Sequence, residues 1–272
     1  MKSIKVKVTF AEPINGGNPN NPEVYKAFIA EKYHKWLEKQ IKAGVKVDDH
    51  GTGDELASLP PMKPDDEKGL TVFSRLLDEN GRRTDVPCIW DKHVPGYFKS
   101  AAEATSRVTG KSAKKAAGEE AKKDSSFQEN PKAFKKTIDQ GVFVFPRQIR
   151  LNVPEGTEIT YYQRPLRAQT MQGERVALAC SEQVAADTSC EFEVIVTNDA
   201  LAGWVKGLLK YGMLNGIGQH RNGGYGSFFH EIVEEKQVDW DYVYELKMRD
   251  FKIRQALNRA EKEDMPEKGE EK

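Results

Sequence analysis

The chain has 272 residues, of which 38% are hydrophobic and 31% charged, and its 42 Lys and Arg balance its 42 Asp and Glu. This length allows one large or two small domains. Zero net charge excludes a protein that holds a polyanion by global attraction, so any electrostatic footprint must come from local segregation of charge.

Ile4, Val6, Val8 and Phe10 alternate with polar residues, which predicts a strand with one buried face. A Gly/Asn/Pro turn at 15–22 precedes a helix over Glu23–Ala43, stopped at Gly44. Residues 46–68 are polar and Gly/Pro-rich and suggest an insertion loop. Leu70–Phe73 suggests a short strand, Asp78–Arg82 a turn, and Val86–Trp90 a strand. Pro95-Gly96 then opens a helix over Tyr97–Thr105. The stretch 107–130, rich in Lys, Ala, Ser and Glu, is either disordered or a mobile helix. A short helix follows at Pro131–Ile138. Gly141–Asn152 has a strand pattern interrupted by Pro146, which suits an edge or a bulge.

Two β-rich pieces around Met171–Glu174 predict a long hairpin over Thr157–Val184, and Cys190–Val196 predicts another strand. Asn198 or Asp199 caps a helix reaching about Leu214. Tyr225–Val233 predicts a strand, Lys247–Glu263 a charged amphipathic helix, and 265–272 a frayed tail. The order strand–helix–strands, then strand–helix–strand, suits an α+β fold. The expected core is a ferredoxin-like, RRM-type split β-α-β, an antiparallel sheet with helices on one face. The expected organisation is one such domain over 1–246, with insertions at 45–70, 106–136 and 157–188, followed by a charged helix and tail over 247–272.

Cys88, Cys180 and Cys190 are odd in number and lack a CxxC spacing, which predicts buried, reduced thiols. The N-terminal MKSIKVKVTF has a strand pattern, not that of a signal peptide. No run reaches the roughly 18 apolar residues of a membrane span. A cytoplasmic protein without membrane contact is expected. No zinc-ligand spacing, catalytic triad or paired metal carboxylates stand out, so neither cofactor nor metal is expected.

The sharpest feature runs from Gly216 to Phe228, with five glycines in the eleven residues Gly216–Gly226. Glycine tolerates positive φ and lets another backbone approach closely. Bare amides there can face a phosphate, and Arg221 adds a charged fork beside His220 and Asn222. As a dinucleotide fingerprint the segment fails, because it follows a helix and enters a strand. The plain alternative is a tight helix-to-strand turn. Gly-hydrophobic-Gly, five residues, Gly-hydrophobic-Gly is similar to the signature of the RAMP superfamily, the RRM-like proteins of CRISPR systems. Gly216, Gly218, Gly224 and Gly226 match it position for position. The resemblance implies a loop between the last helix and last strand that contacts RNA.

Val86-Pro87-Cys88-Ile89-Trp90, with Pro95-Gly96-Tyr97-Phe98-Lys99, resembles the guide-RNA-binding backbone-subunit branch of that superfamily. The resemblance implies that Lys99, at a basic helix start, touches RNA. The block from Gln163 to Leu178 resembles proteins carried by prophages, which implies a phage or mobile-element relative.

No lysine lies between Thr137 and Val205, yet five arginines do. Arg164 and Arg167 sit in the expected hairpin, where planar guanidinium groups suit phosphate and stacked bases. In the backbone-subunit branch a protruding hairpin kinks the guide and touches the neighbouring subunit. The alternative is a solvated β surface. His34 and His220 form a conceivable acid/base pair for a metal-independent RAMP endoribonuclease. Asp48, Asp49 and His50 form an acidic cluster in the 46–68 loop.

The favoured expectation is a non-catalytic protein that binds single-stranded RNA or DNA and polymerises along it into rings or filaments, alone or within a ribonucleoprotein. Residues 99–136 hold ten basic and five acidic residues, 45–70 three and seven, and 231–272 nine and thirteen, so copies could meet head to tail. A third possibility is an assembly subunit of a mobile element that uses the fold for protein contacts alone.

Overall fold

The computed structural model describes residues 1–21, 55, 57–60, 70–108, 131–170 and 173–263. The expected helix Glu23–Ala43 with His34, the Asp48–His50 cluster, most of the 107–130 stretch and the 265–272 tail lie outside these residues. In chain order the strands are β1 (Lys2–Phe10), β2 (Ile14–Asn15), β3 (Asn18–Pro19), β4 (Leu70–Val72), β5 (Ser74–Leu77) and β6 (Arg83–Trp90). Helices α1 (His93–Val108) and α2 (Pro131–Gly141) follow, then β7 (Val142–Phe145), β8 (Gln148–Arg150), β9 (Thr160–Thr170), β10 (Gly173–Val184) and β11 (Ser189–Val196). The chain ends in α3 (Asp199–Lys210), β12 (Phe228–Gln237) and α4 (Trp240–Glu263). The fold is α+β with antiparallel sheets and, among the described residues, four α-helices. None of these helices is long and apolar enough to cross a membrane.

The described chain forms two compact units. The first comprises Met1–Ile14, Ile89–Thr157 and Ala185–Lys247. Its centre is a four-stranded sheet in the order β12-β1-β11-β7, antiparallel throughout. The alternation in β1 does what the sequence predicts. Ile4 lies opposite Val194, Val6 opposite Phe192 and Val8 opposite Cys190, so one face is continuous hydrocarbon. On that face α3 packs against β1, β11 and β12, and α1 packs against α3, α2 and β7. Phe228 is fully buried there, with Tyr97 at 5.2 Å and Phe10 at 6.2 Å in edge-on geometry. The Tyr97 hydroxyl donates to the Leu208 carbonyl at 2.6 Å, which ties α1 to α3.

The opposite face is polar along its central strands. Lys5 lies opposite Glu193 and Lys7 opposite Glu191, with Glu231 and Glu234 on β12. Lys5 pairs with Glu191 at 3.4 Å, and the Ser3 hydroxyl donates to Glu193. This face is not bare. The first turns of α4 lie on it: Tyr242 bonds to Glu193, and the Lys236 ammonium sits 4.5 Å from its ring centroid. Burial, and then the bond to Glu193, hold the Tyr242 hydroxyl above its ordinary pKa. Helices therefore flank the sheet on both faces, where one face was expected. The reason is a helix start at Trp240, seven residues earlier than the apolar pattern suggests. Asp239 accepts the Tyr242 N–H at 3.0 Å and caps the new turn.

Three other boundaries differ from expectation. The strand expected over 141–152 is two strands, parted at the cis Phe145–Pro146 peptide, because proline has no N–H to donate to a ladder. Helix α1 starts at His93, since the Val94 N–H bonds to the Asp91 carbonyl and Pro95 fits a first turn. Helix α3 ends at Lys210 and tightens into a 3-10 turn at Tyr211–Met213. A Cβ on Gly212 would meet the Phe228 ring at 2.3 Å, so the ring excludes any larger residue at this turn.

The second unit comprises Asn15–Cys88, Glu158–Val184 and Met248–Lys272. The β9–β10 hairpin is formed as expected, in register from Gly173–Thr170 to Gln183–Thr160. Strand β4 pairs with β10 in parallel and with β3 antiparallel over a small core of Leu59, Leu70, Val72 and Cys180. The turn after β5 is held by Asp78, whose carboxylate accepts the N–H groups of Asn80 and Arg82. Gly81, at φ +76°, leaves its Cβ position to the Leu257 backbone 2.4 Å away. All three cysteines are free and buried, and burial pushes the thiols of Cys88 and Cys190 up to about 12.

Glu182 is the electrostatic centre of this unit and is 4% exposed. It accepts both arms of Arg75, at 2.7 and 3.1 Å, and the Phe73 N–H at 2.8 Å. Removing one partner of such a buried pair strands a charge, at a cost of roughly 3–5 kcal/mol. Glu182→Ala should lower unfolding stability by about that amount in a urea titration. Glu182→Gln, which keeps an acceptor, should cost less. Equal midpoints for wild type and Glu182→Ala would show that Arg75 needs no carboxylate.

Candidate nucleic-acid interface

The glycine-rich segment joins the 3-10 turn after α3 to β12, and its glycines fall into two groups. Gly216 and Gly226 form a neck. The Ile217 N–H donates to the Gly226 carbonyl at 3.0 Å, and the Gly226 N–H donates to the Pro13 carbonyl at 2.9 Å. A Cβ on Gly216 would lie 1.6 Å from the Gly226 oxygen, and one on Gly226 would lie 1.9 Å from the Ile217 oxygen. Two stretches of backbone touch here, and no side chain fits between them. Ile217, 2% exposed, anchors the neck in the core, and the Ala11 N–H reaches the Ser227 carbonyl at 2.8 Å. The strand expected from Tyr225 begins only at Phe228 because Tyr225–Ser227 belong to this closure.

Beyond the neck is a tip. Gly218 (φ +101°), His220 (φ +58°) and Gly224 (φ +90°) adopt the left-handed region, and Arg221–Gly223 form one 3-10 turn between them. The Gly223 N–H bonds to the His220 carbonyl and the Gly224 N–H to the Arg221 carbonyl, both at 2.9 Å. The His220 ring stacks on Tyr225 at 5.4 Å and lies against Gly223, where a Cβ would come within 2.7 Å of it. His220 thus has a packing role inside the loop. Asn222, Gly223 and Gly224 are exposed, Arg221 is half-exposed, and the space beside Gly224 is open. A turn with a half-exposed arginine and no Cβ at Gly223 or Gly224 can lie close to a phosphodiester backbone.

The other expected contacts are dispersed. Lys99, on α1, is ion-paired with Asp139 on α2, which offsets its charge locally. Arg164 and Arg167 lie on β9 in the second unit, opposite Ala179 and Val176. Sequence reasoning missed the Pro13 carbonyl that pins the neck, because nothing local marks a backbone acceptor. It also missed Trp90 as a cation platform, with Arg147 and Lys92 at 5.3 and 5.9 Å from its ring centroid.

The two groups of glycine should respond differently to a methyl group. Gly224→Ala meets open space and bears only the left-handed backbone cost of about 1–2 kcal/mol. Gly226→Ala bears that cost plus overpacking, on the order of 2–5 kcal/mol in total. Thermal denaturation of the two variants should rank them in that order. Equal melting temperatures would refute the neck.

No family model and no curated protein matches this chain. Among solved structures it is similar to a chain of the type III-B Cmr-beta complex, determined by cryo-EM bound to cognate target RNA. The TM-score is 0.41 and the identity 9%, covering 87% of this chain and 61% of that one, so this chain spans less than two thirds of its length. It is also similar to a chain of a type IV-B CRISPR complex, with a TM-score of 0.36 and 12% identity over 90% of this chain and 99% of that one.

Proposed function

We propose that this protein binds single-stranded nucleic acid, RNA in preference to DNA, through the tip of the Gly216–Gly226 loop, and assembles side by side along it. The observation that carries the reading is the division of the loop. A neck with no room for a Cβ holds a tip with three left-handed residues and a half-exposed arginine. A plain helix-to-strand turn would need the neck but not the open tip. The resemblance of Gly216, Gly218, Gly224 and Gly226 to the RAMP signature favours RNA. The order β12-β1-β11-β7, which is fourth-first-third-second, supports a ferredoxin-like core with the loop between its last helix and last strand.

Arg221→Ala should weaken binding of a single-stranded 40-mer by roughly tenfold or more, the equivalent of a lost charged hydrogen bond of about 1.5–3 kcal/mol. It should also lower the salt slope by about one phosphate contact. Filter binding across a salt series measures both. An unchanged affinity in Arg221→Ala, with the fold intact, would remove the loop from the interface.

A chain of zero net charge has few phosphate contacts per copy, so affinity on long ligands should come from neighbours in a row. Light scattering should show complexes that grow with oligonucleotide length, and isotherms should be cooperative at low salt. Strict 1:1 stoichiometry on long ligands would rule out the assembly.

A further inference from the structure

The central strands of the polar sheet face carry a Lys/Glu ladder, and Tyr242 lies across it. Bases therefore have no aromatic platform on β1 and β11, where RRM sheets stack them. Exposed aromatic side chains lie instead on β7, the strand at the rim of this face, and on α4. Strand β7 ends the sheet order, and its Phe143 and Phe145 lie on the polar face, opposite Ile195 and Glu193. Phe143 is 41% exposed. On α4, Trp240 and Tyr244 are 73% and 65% exposed and, with Lys247, follow the i, i+4, i+7 spacing of one helix face. The Lys247 ammonium lies 5.2 Å from the Phe145 ring centroid, and no carboxylate pairs with it among the described residues. Between Asp91, Lys92, Pro95, Phe143, Phe145 and Lys247 opens a cavity of about 130 Å³. That is close to the size of cavity, about 150 Å³, that admits one six-membered ring.

We propose that this rim is a second single-strand contact, in which unpaired bases stack on Trp240, Tyr244 and Phe143 while Lys247 and Lys92 face the phosphates. Exposed aromatic faces near a cation that no described carboxylate pairs with suit a ligand that offers both π surface and negative charge. A docked protein helix would instead favour an apolar groove with its charges at the rim. The inference rests on the proposal that the chain binds single strands, but not on the loop.

The test is photo-crosslinking of the full chain to a 4-thiouridine-containing 40-mer RNA, with peptide mapping, beside titrations of Trp240→Ala/Tyr244→Ala and of Lys247→Glu. Cross-links at Trp240, Tyr244 or Phe143 are expected, and they should persist in Arg221→Ala. The double variant should bind the RNA about tenfold more weakly, yet bind an abasic strand as wild type does. Its melting temperature should hold, because both rings are exposed. Cross-links confined to 216–226, with the double variant within twofold of wild type, would overturn this inference and leave the loop reading standing. No RNA binding by wild type at low salt would overturn both. Loss of self-association with RNA affinity intact would assign the rim to a second copy of the chain and overturn the proposal.

Discussion

The backbone crossing at Gly216 and Gly226 is the constraint on which the first unit's glycine loop depends. Contact between two peptide units requires glycine on both sides, and the hydrogen bonds of Ile217 and Gly226 fix their distance. The crossing delivers Phe228 to the start of β12, where its ring fills the space between Phe10 and Tyr97. It also leaves no room at Gly212 for anything larger than hydrogen, so the end of α3 and the start of β12 are positioned together. Core packing and loop shape are thereby coupled. A loop anchored so firmly at its base can keep its tip open without the entropy that a free loop of the same length would lose on binding.

Electrostatics follow a similar logic of local arrangement. Equal numbers of acids and bases cancel globally, and they also cancel pairwise, through Lys5 with Glu191 on the central strands and through Lys2 and Lys206 with Glu235 on the edge strand β12. The Glu235 carboxyl is held below its ordinary range, first by Lys206 and also by Lys2. Such exposed pairs add little stability, but they cancel charge locally. Two other cations, Arg147 over Trp90 and Lys247 over Phe145, sit on aromatic rings.

Much of this was legible in the chain. Alternation gave β1 and β11, paired β-rich runs gave the β9–β10 hairpin, and glycine spacing located the loop. Features decided by distant partners were not legible. The division of the glycines into neck and tip depends on the Pro13 carbonyl, about two hundred residues upstream. The neutralisation of Lys99 depends on Asp139, in a separate helix. The apolar pattern alone starts α4 seven residues late, because the Asp239 cap precedes it, and only the observed start at Trp240 puts Trp240 and Tyr244 on one helix with Lys247. Periodicity identifies which side of an element is apolar, but not what lies against it.

The buried thiols bear on how the molecule can be watched. Cys190 lies at the heart of the first unit's sheet, and Cys88 and Cys180 are buried in the second. With their protons held by burial, Cys88 and Cys190 present almost no thiolate while folded. An alkylating reagent reaches them at the rate at which their surroundings open, so each unit carries an internal clock for its own excursions from the native state. Pulse labelling read out by mass spectrometry would thus time the breathing of the two halves separately, without adding a probe.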